Sequence, residues 1–124
     1  MFFIKIKVNG YLKNITDNTK EIISVSAIKN KNKISYILNE TKHKITIYDD
    51  KIVLVRENDE FVHSLIYSID NFTKSEYYIK ELNTNIEIKI KTNKIELDEK
   101  HIKIDYEIVD SGDKYSYRID LEWI

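Results

Sequence analysis

Apolar and polar residues alternate along this chain in short runs, the period of two that marks strands whose successive side chains point to opposite faces of a sheet. The pattern is clearest in the closing stretch, HIKIDYEIVDSGDKYSYRIDLEWI. Ile102, Ile104, Tyr106 and Ile108 make one face, and Tyr115, Tyr117, Ile119, Leu121 and Trp123 make the matching face of the next strand. Asp110-Ser111-Gly112-Asp113 separates them with turn chemistry, since Asp and Ser bond to nearby backbone and Gly112 takes positive φ without a Cβ clash. A four-residue loop at that place sets Ile108 opposite Tyr115, Tyr106 opposite Tyr117, Ile104 opposite Ile119 and Ile102 opposite Leu121. On the other face Asp105 then meets Arg118, Lys103 meets Asp120 and His101 meets Glu122, each pair worth roughly 0.2–1 kcal/mol.

The same alternation predicts strands over FFIKIKV, EIISVSAIK, KISYIL, HKITIY, KIVLVR and FVHSLIYS, near YYIKEL, and over NIEIKIKT and KIEL. With the closing pair this makes about ten short strands, of the usual five to eight residues. The inward parity switches between Ile90 and Ile95, which calls for a tight turn or a bulge at Thr92-Asn93-Lys94. Only DNFTKSEYYIKEL leaves room for a helical turn. So many strands in one small domain leave edges that must be managed, and closure into a barrel removes them. The expected fold is all-β, an antiparallel up-and-down barrel of about eight to ten strands, forming a single domain over residues 1–124.

Composition changes this picture little. Ile, Lys and Asn supply 52 of the 124 residues, a bias that base composition of the genome explains as readily as function does. There is no proline, and there are two glycines, so turns must lean on Asn and Asp. The absence of cysteine excludes disulfides and thiolate metal sites. The opening apolar run is broken by Lys5 and Lys7 and is too short for a signal segment or a membrane span. A cytoplasmic location is expected. Net charge is −1, and neither half of the chain carries a strong field. Lys29, Lys31, Lys33, Lys42 and Lys44, with Tyr36 for stacking, are the one conceivable nucleic-acid surface, and the near-neutral total argues against it.

Over positions 52–123 the chain resembles the YwiB-like family of small bacterial proteins. A strand ending in Arg is matched by IVLVR with Arg56, followed by the apolar-aromatic FVHSLIYS. A Tyr-x-Thr-Pro-aromatic-Gly segment is similar in spacing to Tyr78-Ile79-Lys80-Glu81-Leu82-Asn83, leading into IEIKIK and Thr92. Lys80, Glu81 and Asn83 depart from that pattern, although Asn83 still supplies the turn conformation. The N-terminal half is matched more loosely, through Tyr36 and Glu40-Thr41. The resemblance implies a calycin (lipocalin-like) barrel and no particular reaction.

Candidate chemistry is sparse. A hairpin around Glu57-Asn58-Asp59-Glu60 places Arg56 opposite Phe61 and Leu54 opposite His63, with Arg56, His63, Leu65 and Tyr67 on one face. If that face is the interior, a cation and an imidazole stand among Tyr and Ile side chains, able to orient an anionic head group. The alternative sets Arg56 at the mouth, its stem on Phe61 and its head paired with Glu57, Asp59 or Glu60. His43 and His101 read as surface strand residues. The three histidines have no metal-ligand spacing, the serines lack a nucleophile elbow, and Asp49-Asp50 and Asp98-Glu99 fall where turns are needed. These observations predict a non-catalytic binder, without cofactor, of a small apolar or amphipathic ligand held within the barrel by Arg56, His63, Tyr67, Tyr78, Tyr106 and Tyr117. The second reading is a protein-interaction or structural module with a filled barrel. Either is expected to be a monomer or a weak dimer.

Overall fold

The computed structural model describes residues 3–69 and 71–124. Phe2, expected to open the first strand, lies outside them. Ten strands follow one another: β1 (Ile4–Asn14), β2 (Thr19–Asn30), β3 (Lys33–Leu38), β4 (Thr41–Ile47), β5 (Ile52–Glu57), β6 (Phe61–Tyr67), β7 (Phe72–Ile79), β8 (Thr84–Leu97), β9 (His101–Ile108) and β10 (Lys114–Trp123). Each pairs antiparallel with the next, and β10 returns to β1, so the sheet closes as an up-and-down barrel. The β-branched and aromatic residues that dominate these runs fit a pleated, half-buried surface. One side chain in two points inward: Ile6, Val8, Ile34, Ile45, Ile102, Ile104 and Ile119 are almost completely enclosed, each burial worth about 1.5–3 kcal/mol. Outward positions such as Lys5, Lys7, Lys44 and Lys89 are exposed. Among the described residues no helix is long and apolar enough to cross a membrane.

Three details differ from expectation. The β9–β10 loop is four residues long, but it comprises Val109 to Gly112: the Ile108 N–H bonds the Asp113 carbonyl at 2.9 Å, and the Gly112 N–H bonds the Ile108 carbonyl at 2.8 Å. Gly112, at φ 75°, is the last loop residue, where the chain must turn left-handed to re-enter the sheet. The register therefore moves by two residues. Faces survive and partners change, so that Tyr106 meets Tyr115, Ile104 meets Tyr117 and Lys103 meets Arg118. The charged pairs expected there give way to others: Ser116 Oγ donates to Asp105 at 2.7 Å, while Asp120 gathers His101 at 2.5 Å and Arg118 at 3.2 Å.

The β5–β6 hairpin shifts in the same way. Asn58 bonds backbone to Phe61 and its side chain accepts the N–H groups of Glu60 and Phe61 at 2.8 and 3.1 Å. This Asx geometry satisfies the turn locally and shortens it to Asp59-Glu60. Arg56 consequently lies directly opposite His63, and Leu54 opposite Leu65.

The two segments NIEIKIKT and KIEL are one strand, β8, in which a bulge between Thr92 and Lys94 absorbs the parity switch. Where a helical turn had room, β7 is strand. Asn18, Asn39 and Asn83 adopt positive φ in turns, as the scarcity of glycine requires, and Lys31 and Glu40 join them.

Two seams interrupt the wall. Pairing of β2 with β3 stops at Ala27 and Tyr36, although β2 runs on beside β1 from Ser26 back to Thr19. Pairing of β6 with β7 stops at Ser64 and Glu76. There side-chain hydroxyls replace the ladder: Ser75 Oγ donates to the Ser64 carbonyl at 2.5 Å, and Thr73 Oγ1 to the Ile66 carbonyl.

Candidate functional site

The turns after β1, β3, β5, β7 and β9 gather at one end of the barrel, the mouth. Towards it β4 contributes His43, β5 Arg56 and β6 His63, three neighbours across adjoining strands because His43 pairs with Arg56 and Arg56 with His63. Tyr36, Tyr67, Tyr106 and Tyr117 complete the wall of a cavity of about 40 Å³. That volume holds about three water molecules, or one small polar group.

Burial dictates the ionisation of this lining. Removal from water holds both His43 and His63 down at about 4, and the nearby Arg56 charge reinforces the effect. It pushes Tyr106 up to about 12 and Tyr67 and Tyr117 well above the usual phenol range, since a phenolate is poorly solvated there. At neutral pH the tyrosines thus keep their protons and the two histidines are uncharged. Arg56 is the cation of the interior, with Glu21 the acid at the exposed rim.

Hydrogen bonding fixes the finer geometry. Tyr36 and Tyr117 share a hydroxyl–hydroxyl bond of 2.7 Å across the barrel, and the His43 ring stacks on Tyr36 with centroids 4.6 Å apart. Ser75 Oγ lies 3.2 Å from His63 Nε2. Its own proton goes to the Ser64 carbonyl, so His63 must donate from Nε2 and keep a lone pair on Nδ1. Among the described residues that Nδ1 is buried without a partner, as are Arg56 Nε and the Tyr67 hydroxyl. Tyr106 sits beside Tyr67, ring centroids 4.8 Å apart, without completing a hydrogen bond to it. Among the described residues Arg56 makes no ion pair. Its guanidinium is 5.9 Å from the Phe61 ring, while Glu57, one of the carboxylates available to it in sequence, is taken by Lys80 at 3.1 Å.

Of the six residues expected in the site, the structure brings Arg56, His63, Tyr67, Tyr106 and Tyr117 together. Tyr78 is a correction: its hydroxyl bonds the Asn83 side chain outside the barrel. Because Tyr77 is the residue paired with His63, the inward parity of β7 falls on Tyr77, whose ring packs against His63 at 5.1 Å. His43 is the second correction, 7 % exposed and inside, where it shares parity with Ile45 and Ile47. That parity was the signal for it, obscured by its two lysine neighbours. Tyr36, 4 % exposed, is a further lining residue and is turned away from any base it was to stack on.

The architecture and this interior define a closed ten-stranded antiparallel barrel with a tyrosine-rich, singly basic cavity. No family model and no curated protein matches the chain. Among solved structures it is similar to the ywiB protein from Bacillus subtilis, with a TM-score of 0.66 and 19 % identity over 98 % of this chain and 92 % of that one. The likeness establishes a shared fold along nearly the whole chain, including the N-terminal half where the motifs match loosely.

Proposed function

We propose that the protein is a non-catalytic, calycin-like barrel of the cytoplasm that holds the anionic head of a small amphipathic molecule at Arg56. The observation that carries this reading is an arginine facing the interior that makes no ion pair among the described residues, the one acid of the cavity lining, Glu21, standing at its exposed rim. Arg56 is half-buried and its Nε is enclosed without a partner among the described residues; burying even part of an unpaired cation is costly, and an incoming carboxylate supplies the opposite charge while the planar guanidinium offers paired donors. The 40 Å³ cavity admits a head group, so the apolar part of such a ligand rests at the mouth against Leu12, Phe61 and Tyr77. The small volume equally favours the second reading, a filled barrel whose inner polar atoms are bridged by water.

A fluorescent aromatic carboxylate and its methyl ester separate the two. The carboxylate should bind at least tenfold more tightly than the ester, and Arg56→Met, which keeps much of the stem, should abolish that preference. If neither probe binds the wild-type protein and Arg56→Met alters only thermal stability, the filled barrel replaces the carrier.

A further inference from the structure

A second concavity lies on the outer wall and reaches Tyr36 and His43, two residues it shares with the interior site. It is a groove of about 710 Å³ crossing the outside of β1 to β5, where the β2–β3 ladder stops. Its apolar floor is formed by Phe3, Ile28 and Ile37, which are 62 %, 49 % and 62 % exposed, at outward positions where a strand in water ordinarily carries polar side chains. Contiguous exposed apolar surface of this kind marks binding sites. Lys5, Lys42 and Lys44 border it. The one acid of the lining, Glu57, is already engaged by Lys80, so the groove presents uncompensated positive charge over an apolar floor.

We propose that this groove docks an acidic, extended segment of a protein partner. Charge selects the sign: carboxylates of the segment meet Lys5, Lys42 and Lys44 while its alternate apolar side chains cover Phe3, Ile28 and Ile37. The backbone selects a polypeptide over a lipid or a detergent. The groove reaches a free edge at Ser26: from Ser26 towards Thr19, β2 has no strand beside it on the β3 side among the described residues, and the free N–H and C=O groups there are the template on which an extended chain running out of the groove along β2 adds by main-chain hydrogen bonds.

The test uses a fluorescein-labelled heptapeptide alternating Glu and Leu, its Gln-for-Glu analogue, and the Glu peptide N-methylated on alternate amides, each titrated by anisotropy into the intact protein. The Glu peptide should bind at least tenfold more tightly than the Gln and N-methylated forms and should weaken as salt rises from 50 to 500 mM. Lys42→Glu combined with Lys44→Glu should reduce its affinity at least tenfold. Ile37→Ser, with the far-ultraviolet spectrum unchanged, should reduce it independently. Equal binding of the Glu and Gln peptides overturns the charge argument. Full binding of the N-methylated peptide, or dodecanoate shifting the groove's amide resonances where the Glu peptide does not, overturns strand addition in favour of a small amphiphile. Absence of any Glu-peptide binding at millimolar concentration removes the proposal altogether.

Discussion

Tyr117 shows how much one inward side chain does in this barrel. Its ring fills the core and its hydroxyl lies 2.7 Å from that of Tyr36 on β3, a strand with which β10 does not pair. Tyr117→Ala should cost about 3–5 kcal/mol, and Tyr117→Phe about 1–3 kcal/mol, because it leaves the Tyr36 hydroxyl buried and unpaired. Arg118, one residue along but half-exposed on the outer face, should tolerate Ala at under about 1 kcal/mol. Urea unfolding of the three variants checks the faces, and equal losses would show them to be misassigned. The histidines set a pH dependence at the same scale. In the unfolded chain they titrate near 6.5, whereas in the barrel burial lowers both to about 4. As pH falls through 6.5 the unfolded chain takes up protons that the folded chain refuses. The stability of the neutral rings is thus complete above about pH 7, is lost between 6.5 and 4, and falls no further below 4, with a ceiling of about 1.4 kcal/mol per pH unit for each ring. The shift in urea midpoint between pH 7 and 5 should shrink in His43→Phe; an unchanged shift would mean that His43 is not buried uncharged.

At the scale of the element, β8 gives the sharpest test. Ile90 and Thr92 point inward before the bulge and Ile95 after it, and Asn93 is the extra residue between the Thr92–Tyr106 and Lys94–Asp105 pairs. Deleting Asn93 restores regular alternation and should leave a folded protein. Deleting Lys89 instead flips one part of the strand and forces Glu87 or Lys91 inside, at a cost that should prevent folding, since an unpaired buried charge is far dearer than a lost bend. Circular dichroism of the two deletions decides the matter, and equal outcomes would refute the assigned bulge. On β1, a Cβ at Gly10 would stand 1.8 Å from the Arg118 carbonyl oxygen. Gly10→Ala must therefore push β1 off β10 at the seam of closure, a change expected to cost about 1–3 kcal/mol, as overpacking does, measured by thermal melting.

Across the whole molecule, closure makes the first and last strands neighbours, from Ile6 with Trp123 to Asn14 with Tyr115. Such distant pairings must form before the loop-closure entropy is repaid, so folding should take milliseconds to seconds. No half of the sheet has a finished core without the other. Trp123 fluorescence and far-ultraviolet circular dichroism should report one coincident unfolding transition, and two separated transitions would show that part of the wall folds alone.

The alternation of the chain determined the strands, their number, the inward set from Ile102 to Leu121, the parity break at Asn93 and the barrel, because the period of two depends only on neighbouring residues. It also placed Arg56, His63 and Tyr67 on one face. Register was decided by tertiary structure and turn geometry. Gly112 at the end of its loop and Asn58 closing a tight turn each moved a hairpin by two residues, a shift that leaves every face intact and is therefore invisible to hydrophobic pattern. The same limit hid the exchange of Tyr78 for Tyr77 and the inward turn of His43, since a short strand flanked by polar residues reads equally well on either parity until its neighbour fixes it. The barrel's radius, and with it the small cavity around an unpaired arginine, followed only once ten strands had closed and their side chains met across the interior.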